Sequence, residues 1–203
     1  AAMLILQDNH PDILQFIKAK QTPGILEGAN VSVAISDAFM QKVNVDGEWD
    51  LRWQGEMYRS LPAREIWNEI ISSAWLSGEP GVVFLDRMNR VSNAGHLAPI
   101  IATNPCAEQP LEANGVCLLG SVNVLRHMVN SKLDTKLLSE TVNIAVRFLD
   151  NIIDQAAYPF PECESSEKAL RRMGIGTVGL ADALIAAGLR YGSPEAVRFT
   201  SLV

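Results

Sequence analysis

The residues best suited to chemistry in this chain lie in one short stretch between positions 104 and 117. Asn104, Cys106 and Glu108 place a carboxamide, a thiol and a carboxylate within five residues, and Cys117 adds a second thiol eleven positions after the first. If the stretch runs extended, alternate side chains share a face, so the carboxamide, thiol and carboxylate would point the same way. A sulfur nucleophile or radical carrier beside a proton acceptor and a neutral hydrogen-bonding group suits chemistry on a polyhydroxylated substrate.

Two prolines restrict the backbone of the same stretch. Pro105 lacks an N–H group and Pro110 closes the stretch, which disfavours the interior of a helix or a central strand. The sequence therefore predicts a loop or an edge segment around Cys106.

The complete string from Asn104 to Leu111, Asn-Pro-Cys-Ala-Glu-Gln-Pro-Leu, resembles the active-site finger loop of ribonucleotide reductase large subunits, most closely the adenosylcobalamin-dependent class II enzymes. A second run, Cys117 to Asn123, resembles the Cys-Asn-Leu-Gly-Ser-hydrophobic-Asn run that follows in that family, with Leu118 where asparagine is usual. Other segments resemble barrel segments of the family in the same order: 10–13, 30–40, 78–81, 171–176 and 179–184. The resemblance thus extends over essentially the whole chain.

This resemblance implies a role for four residues of the stretch. Cys106 takes the position of the transient thiyl radical that abstracts the 3′ hydrogen of the ribose. Glu108 takes that of the base for the 3′-hydroxyl proton, which lets the 2′-hydroxyl leave as water, and Asn104 would hold the hydroxyl and the carboxylate by hydrogen bonds. Cys117 takes the position of one member of a redox disulfide pair, whose other cysteine in the family lies upstream of residue 1 here.

The same resemblance implies cofactors and partners. In a class II enzyme the radical on Cys106 would come from adenosylcobalamin, whereas in a class I enzyme it would come from a separate radical subunit, and this alternative stays open. The substrates would be ribonucleoside di- or triphosphates, with dNTP or ATP effectors acting on the full protein. An external dithiol, a thioredoxin-like reductant, would renew the redox pair. A homodimer and a cytoplasmic location are further expectations.

Strand-like and helical patterns alternate along the chain, which favours the α/β class. The resemblance implies part of a ten-stranded α/β barrel with a central finger loop, at about residues 103–117, that carries the catalytic cysteine. Residues 1–203 would form a single partial domain, the central portion of that barrel. The chain starts in an apolar strand and ends inside a helix begun at Ser193-Pro194, so we expect a piece of a longer protein.

Hydrophobic periodicity locates the individual elements. It predicts strands at 2–7, 31–35 and 81–85 and a strand-like stretch through Val122. It predicts helices from Pro11, from Asp37, over 62–78, after Asp134, up to Ala187 and from Ser193. Irregular structure or a hairpin is expected up to Tyr58, and polar loops are expected through His96 and around Cys163.

The string from Gly174 to Gly179 satisfies the dinucleotide-binding pattern G-x-G-x-x-G but not its context. That fingerprint needs a hydrophobic strand before it and an acidic residue about twenty positions after it. Here the stretch 168–172 precedes it, and this stretch is not the core of a hydrophobic strand. We therefore expect a strand in which glycine gives backbone clearance, as the resemblance also implies.

The composition excludes several classes of protein. Apolar residues make up 48% and charged residues 20%, as in an ordinary folded cytosolic protein. The formal charge of −6 gives no general attraction to nucleic acid or anionic membranes, so neither partner is expected. Three cysteines are too few for a disulfide scaffold, and no apolar run reaches membrane-spanning length. The three histidines lack the spacing of metal ligands, so no metal site is expected.

Functions of two other kinds stay open at this stage. Cys106 could serve a two-thiol oxidoreductase or a cysteine hydrolase, although a hydrolase needs a histidine base and neither His96 nor His127 lies in a recognisable pairing motif. The isolated chain could also be an inert structural piece of an enzyme. Cys163, which lies between two glutamates, is not expected to be the partner of Cys117.

Overall fold

The computed structural model describes every residue from 1 to 203 and divides the chain into two compact units, residues 1–113 and residues 114–203. Both units combine helices with parallel strand pairs, which confirms the mixed α/β class. The strands form separate sheets of two or three strands and close no barrel. None of the helices has both the length and the apolar character needed to span a bilayer.

The first unit is built on a three-stranded parallel sheet. Its elements are β1 (Ala2–Gln7), α1 (Ile13–Lys18), β2 (Ala29–Ala34), α2 (Asp37–Asn44), β3 (Glu48–Trp53), β4 (Glu56–Pro62), α3 (Ala63–Ser77), β5 (Gly81–Val83), α4 (Leu85–Val91), β6 (Ala102–Thr103) and β7 (Pro110–Leu111). The sheet has the order β1-β2-β5, and its central strand β2 is buried over its last four residues. Burial on both faces explains why β2 ends in a run of small and β-branched residues.

Three helices and the β3-β4 hairpin enclose the core of this unit. Ile66 and Ile70 lie one turn apart on α3 and are both buried, which is the helical stripe that the periodicity predicts. Phe39 of α2 is fully buried and meets the ring of Trp49 edge-on, with 5.5 Å between the ring centroids. α3 ends at Gly78, whose φ of 81° lies in the left-handed region that favours glycine.

The second unit pairs two parallel strands beside a long helix. Its elements are β8 (Leu118–Asn123), a 3-10 helix (Val124–His127), β9 (Met128–Val129), β10 (Lys132–Leu133), α5 (Thr135–Gln155), α6 (Pro161–Leu170), β11 (Met173–Val178), α7 (Leu180–Ala186) and α8 (Pro194–Thr200). β8 pairs with β11 in parallel, and α5 buries Leu138, Leu149 and Ile153. Asp134 caps α5, because its side chain accepts a hydrogen bond from the Leu137 N–H at 2.9 Å.

The prediction of a polar loop through His96 is wrong in part, since residues 85–91 form α4. Leu85, Met88 and Val91 recur at helical spacing along α4, but none of them is buried, so this apolar stripe is short and weak. The side chain of Asn89 instead ties the helix to the chain beyond it. Its Nδ2 donates to the Leu85 carbonyl at 3.0 Å, and its Oδ1 accepts from the Ile100 N–H at 2.8 Å.

The polar loop predicted around Cys163 is also wrong, because Cys163 lies on α6. Pro161 occupies the first turn of this helix and acidic residues follow it there, both of which favour a helix start. Lys168 and Glu164 form an ion pair of 2.6 Å one turn apart. Beyond the helix, Arg171 donates to Asp150 of α5 at 2.7 Å, so tertiary contacts support a segment that is polar in sequence.

A buried carboxyl group lies at the carboxyl ends of the parallel strands of the first unit. Asp8, directly after β1, is 3% exposed and borders a cleft of about 220 Å³. Its Oδ2 accepts a hydrogen bond from the Ser36 N–H at 2.6 Å. Burial raises the pKa of the Asp8 carboxyl from 3.8 to about 6, the hydrogen bonds from Ser36 oppose this rise, and the nearby Asp86 carboxylate adds to it.

Asp8 should make the first unit less stable as the pH rises. The folded state binds this proton more tightly than the unfolded chain, so the stabilisation present below about pH 4 is lost as the pH rises through about 6. Between pH 4 and pH 7 the unfolding free energy of the Asp8→Asn chain should fall by about 2 kcal/mol less than that of the parent.

Urea unfolding followed by tryptophan fluorescence measures this effect in the first unit alone, because the four tryptophans all lie there: Trp49, Trp53, Trp67 and Trp75. Asp12→Asn removes an exposed carboxylate nearby and serves as the control. The prediction is wrong if the parent and the Asp8→Asn chain show the same dependence of stability on pH.

Candidate active site

Cys106 lies at the tip of a β-hairpin. The strands β6 and β7 pair antiparallel, and residues 104–109 form the loop between them. Pro105 and Cys106 make a turn, closed by a hydrogen bond of 3.0 Å from the Ala107 N–H to the Asn104 carbonyl. The structure therefore confirms the loop that the prolines predict around the thiol.

The side chain of Asn104 ties the two ends of this loop together. Its Oδ1 accepts a hydrogen bond from the Gln109 N–H at 3.0 Å, and its Nδ2 donates to Oε1 of Glu108 at 2.6 Å. The N–H of Asn104 also donates to the Gln109 carbonyl at 3.1 Å. Because a carboxamide is both donor and acceptor, one uncharged side chain closes the loop and orients the carboxylate.

The expectation that Asn104, Cys106 and Glu108 share one face of an extended segment is wrong. The chain turns at positions 105 and 106, and Ala107 has a φ of 65°, so the alternation of a strand does not apply. The carboxamide and the carboxylate still meet, because the loop curls back on itself. The tertiary arrangement therefore joins Asn104 to Glu108 directly and leaves Cys106 at the turn between them.

Both Cys106 and Glu108 are exposed in this unit. A thiol at the tip of a loop can be reached by another molecule, either as a nucleophile or as a carrier of a radical. A carboxylate held by a neutral amide keeps a second oxygen available to accept a proton from a substrate hydroxyl. The loop can thus combine one-electron or nucleophilic chemistry at sulfur with proton transfer at oxygen.

One residue that contacts the loop has no role in the sequence-based predictions. Asn30, in β2, donates a hydrogen bond from Nδ2 to the carbonyl of Pro105 at 2.6 Å. The two residues are 75 positions apart, and no local pattern connects them. Asn30 belongs to a segment that resembles the family, which is the only signal that could have drawn attention to it.

Cys117 lies in the second unit, on the segment that leads into β8, and is half-buried. Its Sγ lies 3.9 Å from the carbonyl oxygen of Leu118. None of the three cysteines forms a disulfide bond in the structure. The pairing of Cys117 with an upstream cysteine stays a prediction.

The residues 174–178 lie within β11, which confirms that the G-x-G-x-x-G string is not a dinucleotide-binding turn. β11 pairs with β8, with Gly174 opposite Leu119. A Cβ atom on Gly174 would lie 2.8 Å from Cδ2 of Leu119 and 3.8 Å from Sγ of Cys117. The glycine therefore gives the clearance that the sequence predicts, and it does so beside the second candidate thiol.

The family model described as ribonucleotide reductase, barrel domain, matches residues 1–203. The chain belongs to the ribonucleotide reductase barrel-domain family. The vitamin B12-dependent ribonucleoside-diphosphate reductase of Mycobacterium tuberculosis is 41% identical over 204 residues, which cover 99% of this chain and 30% of that protein. The protein of the same name from Thermoplasma acidophilum is 41% identical over 97% of this chain and 26% of its own length.

A third relative has a different name. The ribonucleoside-diphosphate reductase subunit alpha of Chlamydia pneumoniae is 36% identical over 148 residues, which cover 71% of this chain and 14% of that protein. The chain thus spans less than a third of the length of each of these three relatives.

Asn104→Ala should expose the Gln109 N–H to hydrogen exchange, because its side-chain acceptor is lost. A hydrogen bond worth about 1 kcal/mol corresponds to roughly fivefold faster exchange. Asn104→Asp keeps an acceptor oxygen for the Gln109 N–H but replaces the donor to Glu108 with a second carboxylate, so it should protect Gln109 less well than asparagine does. Amide exchange measured by NMR at Gln109 tests this. Parental exchange in the Asn104→Ala chain would mean that the carboxamide does not close the loop.

Proposed function

We propose that this chain is the central portion of a catalytic subunit that reduces ribonucleotides to 2′-deoxyribonucleotides. The observation that supports it most strongly is the loop 104–109, which carries an exposed thiol at its turn and a carboxylate held by the Asn104 amide. Membership of the reductase barrel-domain family supports the same reaction. The names of the three relatives, all ribonucleoside-diphosphate reductases, favour ribonucleoside diphosphates over triphosphates as the substrates.

The proposed chemistry gives a role to three residues of the loop. A thiyl radical on Cys106 removes the 3′ hydrogen atom of the ribose and becomes a thiol. Glu108 takes the proton of the 3′-hydroxyl while Asn104 holds its carboxylate in place, which the hydrogen bond of 2.6 Å between them makes possible. The 2′-hydroxyl then leaves as water after gaining a proton.

Two electrons and two protons must enter for the sugar to be reduced. In the proposed reaction they come from the thiols of Cys117 and an upstream cysteine, which become a disulfide as ribonucleotide is converted to deoxyribonucleotide and water. The substrate then regains its 3′ hydrogen from Cys106, which restores the radical. An external dithiol of the thioredoxin type reduces the disulfide for the next turnover.

We further propose the cobalamin-dependent class. Two relatives named vitamin B12-dependent are 41% identical over nearly the whole chain, whereas the Chlamydia pneumoniae subunit alpha is 36% identical over 71% of it. Cys106 is the residue that would face the bound group, and its exposed thiol is open to one-electron oxidation. Adenosylcobalamin, when bound, supplies the radical chemistry for that oxidation. A separate radical subunit remains the class I alternative.

We also propose a fold for the whole enzyme of which this chain is a part. We place residues 1–203 in one partial domain, the central portion of a ten-stranded α/β barrel, with the hairpin β6-β7 as part of its finger loop. The parallel pairs in each unit are of the kind that such a barrel requires. Regulation by dNTP or ATP effectors, a homodimer and a cytoplasmic location are further parts of the proposal.

The structure gives the Cys106 thiol no hydrogen bond to a histidine, and His96, a candidate base from the sequence, has an exposed side chain. A cysteine hydrolase needs a histidine base at the thiol. The ring of His127 is held by the Asn123 carbonyl at 2.8 Å and the Thr141 hydroxyl at 2.9 Å. The Nδ1 atom of His10 accepts from the Asp12 N–H at 3.1 Å.

Cys106→Ser should abolish deoxyribonucleotide formation in a full-length protein that carries this chain. An O–H bond is too strong for a serine oxygen to replace the sulfur in hydrogen-atom transfer, so we expect a loss of at least about a thousandfold. Cys163→Ser, on α6, is the matched control and should keep parental activity. The assay measures deoxyribonucleotide formed from a ribonucleoside diphosphate with a dithiol, with and without adenosylcobalamin.

Each outcome of this assay bears on a separate part of the proposal. Activity in the Cys106→Ser protein equal to that of the parent would rule out the reductase mechanism. Activity that needs a second protein subunit and not adenosylcobalamin would replace the cobalamin class with class I.

A further inference from the structure

We infer that Asn30 is a positioning residue that holds the sulfur of Cys106 in place through the peptide bond that precedes it. This inference rests on the proposed function, because it assigns Asn30 a part in the same reaction. The observation behind it is the hydrogen bond of 2.6 Å from Nδ2 of Asn30 to the carbonyl oxygen of Pro105.

This hydrogen bond acts on the peptide group next to the thiol. The carbonyl of Pro105 belongs to the planar unit that ends at the Cα atom of Cys106. Holding that oxygen therefore limits rotation of the peptide plane from which the cysteine side chain projects. The other loop hydrogen bonds described above, from the Asn104 side chain and at Ala107, join residues within 104–109. They shape the loop, whereas Asn30 ties its tip to the sheet.

The backbone on both sides of Asn30 is itself held. The carbonyl of Ala29 accepts from Nζ of Lys20 at 2.7 Å, and the N–H of Val31 donates to Oε1 of Glu79 at 2.9 Å. Lys20 and Glu79 also form an ion pair with each other, and their side chains are only 15% and 22% exposed. Parallel pairing with β1 holds the strand from its other side. Asn30 thus projects from a fixed strand end.

A fixed support matters because hydrogen-atom transfer depends steeply on distance. A misplacement of about 1 Å at a reacting group can cost about a hundredfold in rate. Asparagine suits the position because its amide donates to a carbonyl without adding charge. Aspartate has nearly the same shape but presents an oxygen to the Pro105 oxygen, so it would repel the carbonyl that asparagine holds.

The first experiment compares Asn30→Ala, Asn30→Asp and Asn30→Gln in the full-length protein. We expect kcat for deoxyribonucleotide formation to fall about 10- to 100-fold in the alanine and aspartate variants, with KM within about twofold of the parent. Asn30→Gln keeps the donor and should recover part of the loss. Asn44→Ala, at the exposed end of α2, is the control and should match the parent.

The second experiment tests the hydrogen bond between Asn30 and Pro105 without measuring enzyme activity. Pro105-Cys106 is the only Pro-Cys pair in the 203 residues, so labelling proline with ¹³C at the carbonyl and cysteine with ¹⁵N selects this one peptide group by NMR. The Pro105 carbonyl resonance should shift in Asn30→Ala and Asn30→Asp and stay unchanged in Asn44→Ala. Melting temperatures of the same chains separate a local effect from unfolding.

The outcomes distinguish this inference from the proposed function. An unchanged Pro105 resonance in Asn30→Ala overturns the inference, as does a parental kcat or a fall in kcat matched by lower thermal stability. A parent protein that forms no deoxyribonucleotide refutes the proposed function, while the resonance still tests the contact between Asn30 and the loop. A shifted resonance with lower kcat, unchanged KM and unchanged melting temperature supports Asn30 as a positioning residue.

Discussion

A single uncharged side chain, that of Asn104, holds the geometry on which the proposed chemistry depends. An exposed loop of six residues would sample many conformations, and ordering each residue costs about 1–2 kcal/mol of backbone entropy. The Asn104 carboxamide offsets part of this cost with one accepted and one donated hydrogen bond, to the Gln109 N–H and the Glu108 carboxylate. Because the amide is neutral, it can hold the carboxylate without neutralising its charge or competing with it for protons.

The sheet of the first unit supports that loop through Asn30 of β2, which donates a hydrogen bond to the Pro105 carbonyl. Functional residues commonly lie on loops that a rigid scaffold positions, and β2 plays the part of the scaffold here. Its central place in the sheet, its buried residues and the half-buried ion pair between Lys20 and Glu79 restrict the strand from which Asn30 reaches the loop. The strands and helices therefore matter to the chemistry because they decide where the hairpin tip can lie.

Prediction from sequence succeeded where apolar residues recur with a clear period and failed where they do not. α3 and α5 carry apolar stripes, and the sequence predicts α3 close to both observed bounds and α5 close to its observed start. α4 has only a short apolar stripe, none of it buried, and α6 is polar along its length, so hydrophobic periodicity indicated neither helix clearly. Those helices depend on side-chain contacts with distant segments, such as Asn89 with Ile100 and Arg171 with Asp150.

By itself, the sequence determined the chemistry available at positions 104–117, the turn around Cys106 and the membership of the family, because residue type and proline stiffness act locally. Only the tertiary structure decided that Glu108 meets Asn104 across a curled loop, and that Asn30 reaches Pro105 from 75 positions away. Such contacts depend on how strands and loops pack in three dimensions. No local pattern of residues encodes the distance between two segments that only the fold brings together.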